Sequence, residues 1–199
     1  MDSSPEKGRG IWGFQLTWIL VGAVVLLCTA NTTIFGFTEE SIRVTIRWTA
    51  RFSAIYFSLA FAASSVHALV QKSWSWWLLM NRKFIGISFA ITHLLHLVVL
   101  ILLQYVYHPV FTLAKQSSLI GGGLAYVFLV LMLITSFEKT KALISRKQWT
   151  LLHTMGGYWI WFIFIKSYWK RATTELEYLP LVALLAGVFF LRLWKALRN

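Results

Sequence analysis

Four of the five histidines in this chain, His67, His93, His96 and His153, fall within apolar runs, while His108 beside Pro109 sits in a polar connection and reads as a solvated surface residue. An imidazole taken out of water needs a partner, because burying an unsatisfied polar group costs roughly 2–7 kcal/mol. Three kinds of partner would serve. One is a carbonyl or hydroxyl on a neighbouring helix. Another is the next group in a proton relay through a membrane. The third is the iron of a b-type haem, for which histidine is the usual axial ligand. For one histidine the interhelical contact is the simplest reading. Two on neighbouring faces of one helix, with two more elsewhere in the apolar regions, tip the balance to a cofactor.

The pattern centres on the stretch from Arg82 to His96, which opens with Arg82 and Lys83 and runs into an apolar helix carrying His93 and His96. Helical geometry puts these two imidazoles about 60° apart on the wheel, so they cannot both aim at one iron equally well. Gly86 and Ala90, at i−7 and i−3 from His93, give this helix a stripe of small residues. Gly156 and Gly157 follow His153 at i+3 and i+4 and leave the same helix face bare of side chains. A flat macrocycle packed beside its ligand helix needs such a face, although closely packed membrane helices use glycine pairs as well.

The elements that must hold these residues follow from composition. Of 199 residues, 58% are hydrophobic and 13% charged, about half the charge of an ordinary soluble domain. The mean hydropathy is +0.66. Apolar runs cover residues 14–34, 52–70, 84–106, 119–135, 151–167 and 179–191, each approaching the ~20 residues of a helical crossing. The expected fold is therefore all-α, a single polytopic domain over 1–199 built as a six-transmembrane-helix bundle. The first run could be a signal peptide, with Cys28-Thr29-Ala30 where a peptidase would cut. It continues past that point, so an uncleaved span is the reading preferred here. The single cysteine, Cys28, excludes an intrachain disulfide or a cysteine-based metal cage.

The formal net charge of +12 would point to nucleic acid in a soluble protein. Here the bases lie between apolar spans, so bilayer contact and topology account for them and no nucleic-acid partner is expected. With six spans, the amino tail, residues 71–83, residues 137–150 and the carboxyl tail share one side and hold 12 Lys and Arg, against 7 on the other. The side with 12 should be cytoplasmic, with both termini there. Trp74, Trp76, Trp77, Trp149, Trp169 and Trp194 near span ends read as interfacial anchors.

Depth then sorts the histidines. His67 lies five residues before Lys72 and His153 six after Lys147, both near the basic side. His93 and His96 lie ten and thirteen residues after Lys83, which puts them roughly 6 and 10 Å deeper than His153. By depth alone His67 matches His153 best.

The order Arg82-Lys83-x-x-Gly86, then Leu95-His96, Thr135-Ser136 and Trp149-x-x-Leu152-His153 resembles the ferric reductase-like transmembrane domain family. Arg51, at the head of the second span, also suits it. The resemblance covers about residues 45–170. Single-domain bacterial members of that family are haem-bearing membrane partners of a periplasmic methionine sulfoxide reductase. The resemblance implies b-type haem held between the third and fifth spans, electron transfer across a bacterial inner membrane, and oxidoreductase chemistry. It aligns His96 with the third-span ligand and His153 with the first fifth-span ligand. A second fifth-span histidine is common in the family about thirteen residues on. Lys166 stands there in this chain, so one haem is expected and a second with bis-histidine ligation is not. His67 and His93 have no assignment by resemblance and remain open as ligands.

Arg82, Lys83 and Arg51 could pair with haem propionates or with an electron donor, or simply touch phospholipid. No Gly-rich dinucleotide fingerprint occurs, so NAD(P)H and flavin would reside on a cytoplasmic flavin reductase, with FMN or a quinone from the membrane pool as alternative carriers. An acceptor at the outer face would complete the path. Readings from other classes are a cofactor-free membrane scaffold or assembly factor, and a small proton-coupled transporter that uses its histidines as relays.

Overall fold

The computed structural model describes residues 11–109 and 113–198, and these residues are helical throughout apart from short connections. Six helices reach 20 residues or more: α1 (Phe14–Phe35), α2 (Glu39–Val70), α3 (Ser73–Tyr107), α4 (Leu113–Ile134), α6 (Arg146–Ala172) and α7 (Leu179–Arg198). A four-residue helix, α5 (Glu138–Lys141), joins α4 to α6, and a single 3-10 turn, Leu176–Tyr178, leads into α7. Among the described residues, four helical segments are long and apolar enough to cross a membrane: α1, α2, α3 and the stretch Leu176–Arg198. By length and composition this is a membrane protein.

The helices outrun the apolar runs that announce them. α2 begins at Glu39 rather than near residue 52, because Thr38 caps it by accepting from the Ser41 amide and Glu39 and Glu40 stand in its positive first turn. α3 begins at Ser73, so the Trp-rich stretch and the Arg82-Lys83 pair are helical. At 32 and 35 residues these two helices measure about 48 and 52 Å, well beyond a ~30 Å hydrocarbon layer. Gln71 and His108 end them in left-handed conformations, their amides donating to His67 O and Gln104 O.

α2 and α3 form the most extensive helix pair, and α1 and α7 pack on α2 while α6 joins α4 to α7. The main core takes Phe57 and Phe61 from α2, Phe89 from α3, Leu129 from α4, Phe164 from α6 and Leu185 from α7. A second, small core of Ile42, Val99 and Leu103 ties the start of α2 to the last turns of α3. Polar side chains inside the bundle bond across helices: Tyr56 donates to Leu20 O (3.1 Å), Thr17 to Phe84 O (3.1 Å) and Trp161 to Leu185 O (2.8 Å). Each satisfies a group that lipid could not. The outward faces are apolar, with Trp18, Leu26 and Ile34 of α1 exposed.

The start of α1, the α2–α3 turn, α5 and the end of α7 share one end of the bundle, here called proximal. Contacts fix this grouping: the Trp77 indole donates to Ile11 O, Arg192 to Phe61 O, and Lys195 to Ser64 O. The distal end carries the α1–α2 connection, the end of α3 and the turn before α7.

Gly156 is where α6 approaches α4. A Cβ there would lie 2.6 Å from Met132 Sδ and 3.2 Å from Phe128 Cβ. Gly156→Val should therefore destabilise the fold by ~1–3 kcal/mol, the usual effect of overpacking. Gly187→Ala, where a Cβ meets nothing within 4 Å, should not. Thermal denaturation of the two variants in detergent checks this.

Candidate functional site

Two cavities lie one behind the other along the bundle. The proximal one, of about 410 Å³, is bounded by α2, α3, α4, α6 and α7 and includes His153, Arg82, Lys83 and Arg192. The distal one, of about 530 Å³, lies mainly between α3, α4 and α6 and includes His93, His96, Tyr126 and Tyr168. Leu129 and Ile160, both buried, line both cavities and form the wall they share. Both volumes fall within the ~300–1,000 Å³ usual for ligand and cofactor pockets.

In the distal cavity the His96 imidazole is fixed through Nδ1, 3.0 Å from Thr49 Oγ1. Thr49, fully buried, donates in turn to Thr45 O at 2.8 Å. A hydroxyl on one ring nitrogen that leaves the other for a metal is the arrangement metal-binding histidines use to set orientation and basicity. His93 stacks between His96 (5.2 Å between centroids) and Tyr126 (4.9 Å), and its Nδ1 is buried without a hydrogen bond. Gln104 Oε1 and the Tyr168 hydroxyl are likewise buried and unpartnered. All three atoms belong to residues lining this one space. Native interiors leave few such groups unsatisfied, and Ser58 Oγ of α2 and Thr92 Oγ1 of α3, outside both cavities, share that condition.

His153 has a different setting. Its Nε2 lies 3.1 Å from Thr135 Oγ1, and its ring stacks on Trp149 at 4.1 Å. The Trp149 indole donates to Thr135 O at 3.0 Å. Trp149 thus does more than anchor an interface: it clamps the histidine onto the end of α4.

No known protein family, curated protein or solved structure matches this chain. What the site can do rests on its geometry.

That geometry separates residues the spacing groups together. His153 lines the proximal cavity and His93 and His96 the distal one, so a pair with one imidazole from α3 and one from α6 across a single space is not formed. His67 lines neither; its Nδ1 lies 3.0 Å from Ser75 Oγ in the α2–α3 turn. Arg82 and Lys83 share the proximal cavity with His153. Arg51 is committed at the distal end, paired with Glu177 at 2.5 Å and stacked on Trp48 and Tyr178. Lys166 is exposed and lines neither cavity, whereas its neighbours Ser167 and Tyr168 line the distal one. His108 is exposed, as its place before Pro109 implies.

Of the Gly156-Gly157 pair, Gly157 lines the proximal cavity with His153 and Gly156 does not. Gly156 meets Met132 and Phe128, and a Cβ on Gly157 would stand 3.3 Å from Phe61. Gly122 and Gly123 of α4 are the open ones: they line the distal cavity, and a Cβ on either meets nothing within 4 Å. The Gly121-Gly122-Gly123 triplet was the signal available in the sequence for this wall.

These residues fit a haem ligated from one side. The distal cavity offers an anchored imidazole, a second imidazole beside it, a glycine-lined wall and Arg171 for a carboxylate, whereas Arg47 is paired with Glu40 at 2.7 Å. They do not fit bis-histidine ligation within that cavity, since both of its imidazoles come from α3. Among the described residues, no group of three or more His, Cys, Asp or Glu could hold a bare metal ion.

Proposed function

We propose that this chain is a b-type haem-binding electron-transfer subunit of a bacterial inner membrane, a six-span bundle with its proximal end and both termini in the cytoplasm. Electrons would come from a cytoplasmic flavin or NAD(P)H donor, or from quinol, and leave to an acceptor at the outer face. The observation that carries this reading is the distal cavity of about 530 Å³, lined by the His96 imidazole that Thr49 anchors and walled on one side by Gly122 and Gly123.

The chain's own residues have separable roles. Thr49 holds His96 so that Nε2 remains for iron, and His93, stacked against His96 and Tyr126, blocks rotation of that ring. Phe164 and Ile160 exclude water, while Arg171 supplies positive charge for a propionate. Haem, when bound, supplies a one-electron centre, and the protein's contribution is position, dielectric and charge.

The test is a visible spectrum of the full-length chain, purified after expression with added haem. A Soret band that shifts and sharpens on dithionite reduction is expected, at up to one haem per chain. Absence of that band would sink the reading. It would leave a cofactor-free scaffold or a proton-coupled transporter, a second reading favoured by one specific observation, the one-sided supply of imidazoles to the distal cavity.

The chain is also expected to need a partner. Purified alone it should not oxidise NADPH, and sustained NADPH turnover by the isolated chain would contradict the assignment of flavin chemistry to another protein.

A further inference from the structure

The proximal cavity has a chemistry of its own. Four cations, Arg82, Lys83, Lys141 and Arg192, and one carboxylate, Glu138, line it. Glu138 answers two of the four: its Oε1 lies 3.3 Å from Lys83 Nζ and its Oε2 3.7 Å from Lys141 Nζ. The Lys83 hydrogen bond, with the charges of Lys141 and Lys83 behind it, holds this exposed carboxyl below the usual carboxylate range. Arg192 is committed to Phe61 O at 2.9 Å and lies over the Phe61 ring. Arg82 is exposed and makes no ion pair among the described residues. Behind this charged mouth the walls turn apolar, with Phe57, Phe61, Phe89, Leu129 and Ile160 all buried.

We infer that the proximal cavity binds an anionic phospholipid, its phosphodiester at Arg82, Lys83 and Lys141 and the start of an acyl chain against the apolar walls. A basic pocket between spanning helices at the cytoplasmic surface is the usual form of such a site. A free phosphate would have no use for the apolar depth, and a neutral lipid none for the cations. Glu138 is the internal anion that holds Lys83 and Lys141 together when no lipid is present, and the lipid phosphate competes with it for both. Neither step depends on haem.

Native mass spectrometry of the full-length chain in detergent tests this, with phosphatidylglycerol and phosphatidylcholine of matched chains as probes and inorganic phosphate as competitor. Phosphatidylglycerol should be retained about 25-fold more than phosphatidylcholine, as two effective cations at a membrane surface would give. Arg82→Gln should weaken phosphatidylglycerol about fivefold. Glu138→Gln should strengthen it, because both lysines lose their internal partner. Arg43→Gln, at the distal end, should leave it unchanged. Equal retention of the two lipids, or Arg82→Gln and Glu138→Gln both behaving as the parent, would overturn the proposal. Displacement of phosphatidylglycerol by millimolar phosphate would also overturn it, by reducing the site to a simple anion site.

Discussion

His96→Ala is expected to abolish haem retention, while His153→Ala keeps a Soret band and a haem stoichiometry close to those of the parent. His96 lines the distal cavity and is oriented by a fully buried threonine. His153 is held in the same way, by Thr135 at Nε2, but lines the other cavity with its ring face against Trp149. Thr49→Val should fall between, lowering haem affinity by about 10–100-fold, the usual effect of removing the partner of a ligating histidine. Spectra and pyridine haemochrome counts on the three variants check the order. Haem lost in His153→Ala but kept in His96→Ala would move the site to the proximal cavity.

Arg192→Ala is expected to destabilise the chain by about 3 kcal/mol. The guanidinium donates to Phe61 O at 2.9 Å and to the Tyr158 hydroxyl at 3.4 Å, and stacks over the Phe61 ring at 4.1 Å. A hydrogen bond from a charged donor contributes ~1.5–3 kcal/mol, and a partly desolvated cation–π contact adds ~0.5–2 kcal/mol. Arg192 thereby joins α2, α6 and α7 at one point. Arg198→Ala removes only a contact with Trp194 of the same helix and should change stability by less than ~0.5 kcal/mol. Midpoints of thermal unfolding in one detergent give the comparison.

The helical class and the number of long elements were legible in the apolar runs, because a run of that length has little else to become. The ends of α2 and α3 were not. Capping by Thr38 and the tolerance of Trp, Asn and Arg for helix carry both elements past the apolar stretch, and periodicity within the run does not report this. For the site, spacing along one helix was a sound guide: His93 and His96 face one space, and Arg82 and Lys83 another. Spacing between helices was a poor one. Depth counted from the nearest lysine makes His153 and His67 partners, yet a hydroxyl on the adjoining turn satisfies His67 within its own hairpin. It also treats helices as parallel rods, whereas the Leu129 and Ile160 side chains close the space between His153 and His96. The Gly122-Gly123 wall was written in the sequence as a triplet, but glycines flanking a histidine drew attention first.

The small core of Ile42, Val99 and Leu103 ties the first turns of α2, which precede the apolar run 52–70, to the later turns of α3. Helix ends beyond lipid ordinarily fray, and their amide protons exchange with solvent quickly. Here the first turns of α2 are tied down twice, by that apolar contact and by Asn31, whose amide donates to Ser41 O at 2.8 Å and Thr45 Oγ1 at 3.1 Å. The amides of residues 42–50 should therefore stay protected for times closer to those of the membrane-embedded turns than to those of an exposed helix end. The distal mouth would then be framed by a collar that keeps its shape, and Thr49, the residue that aims His96, stands on it.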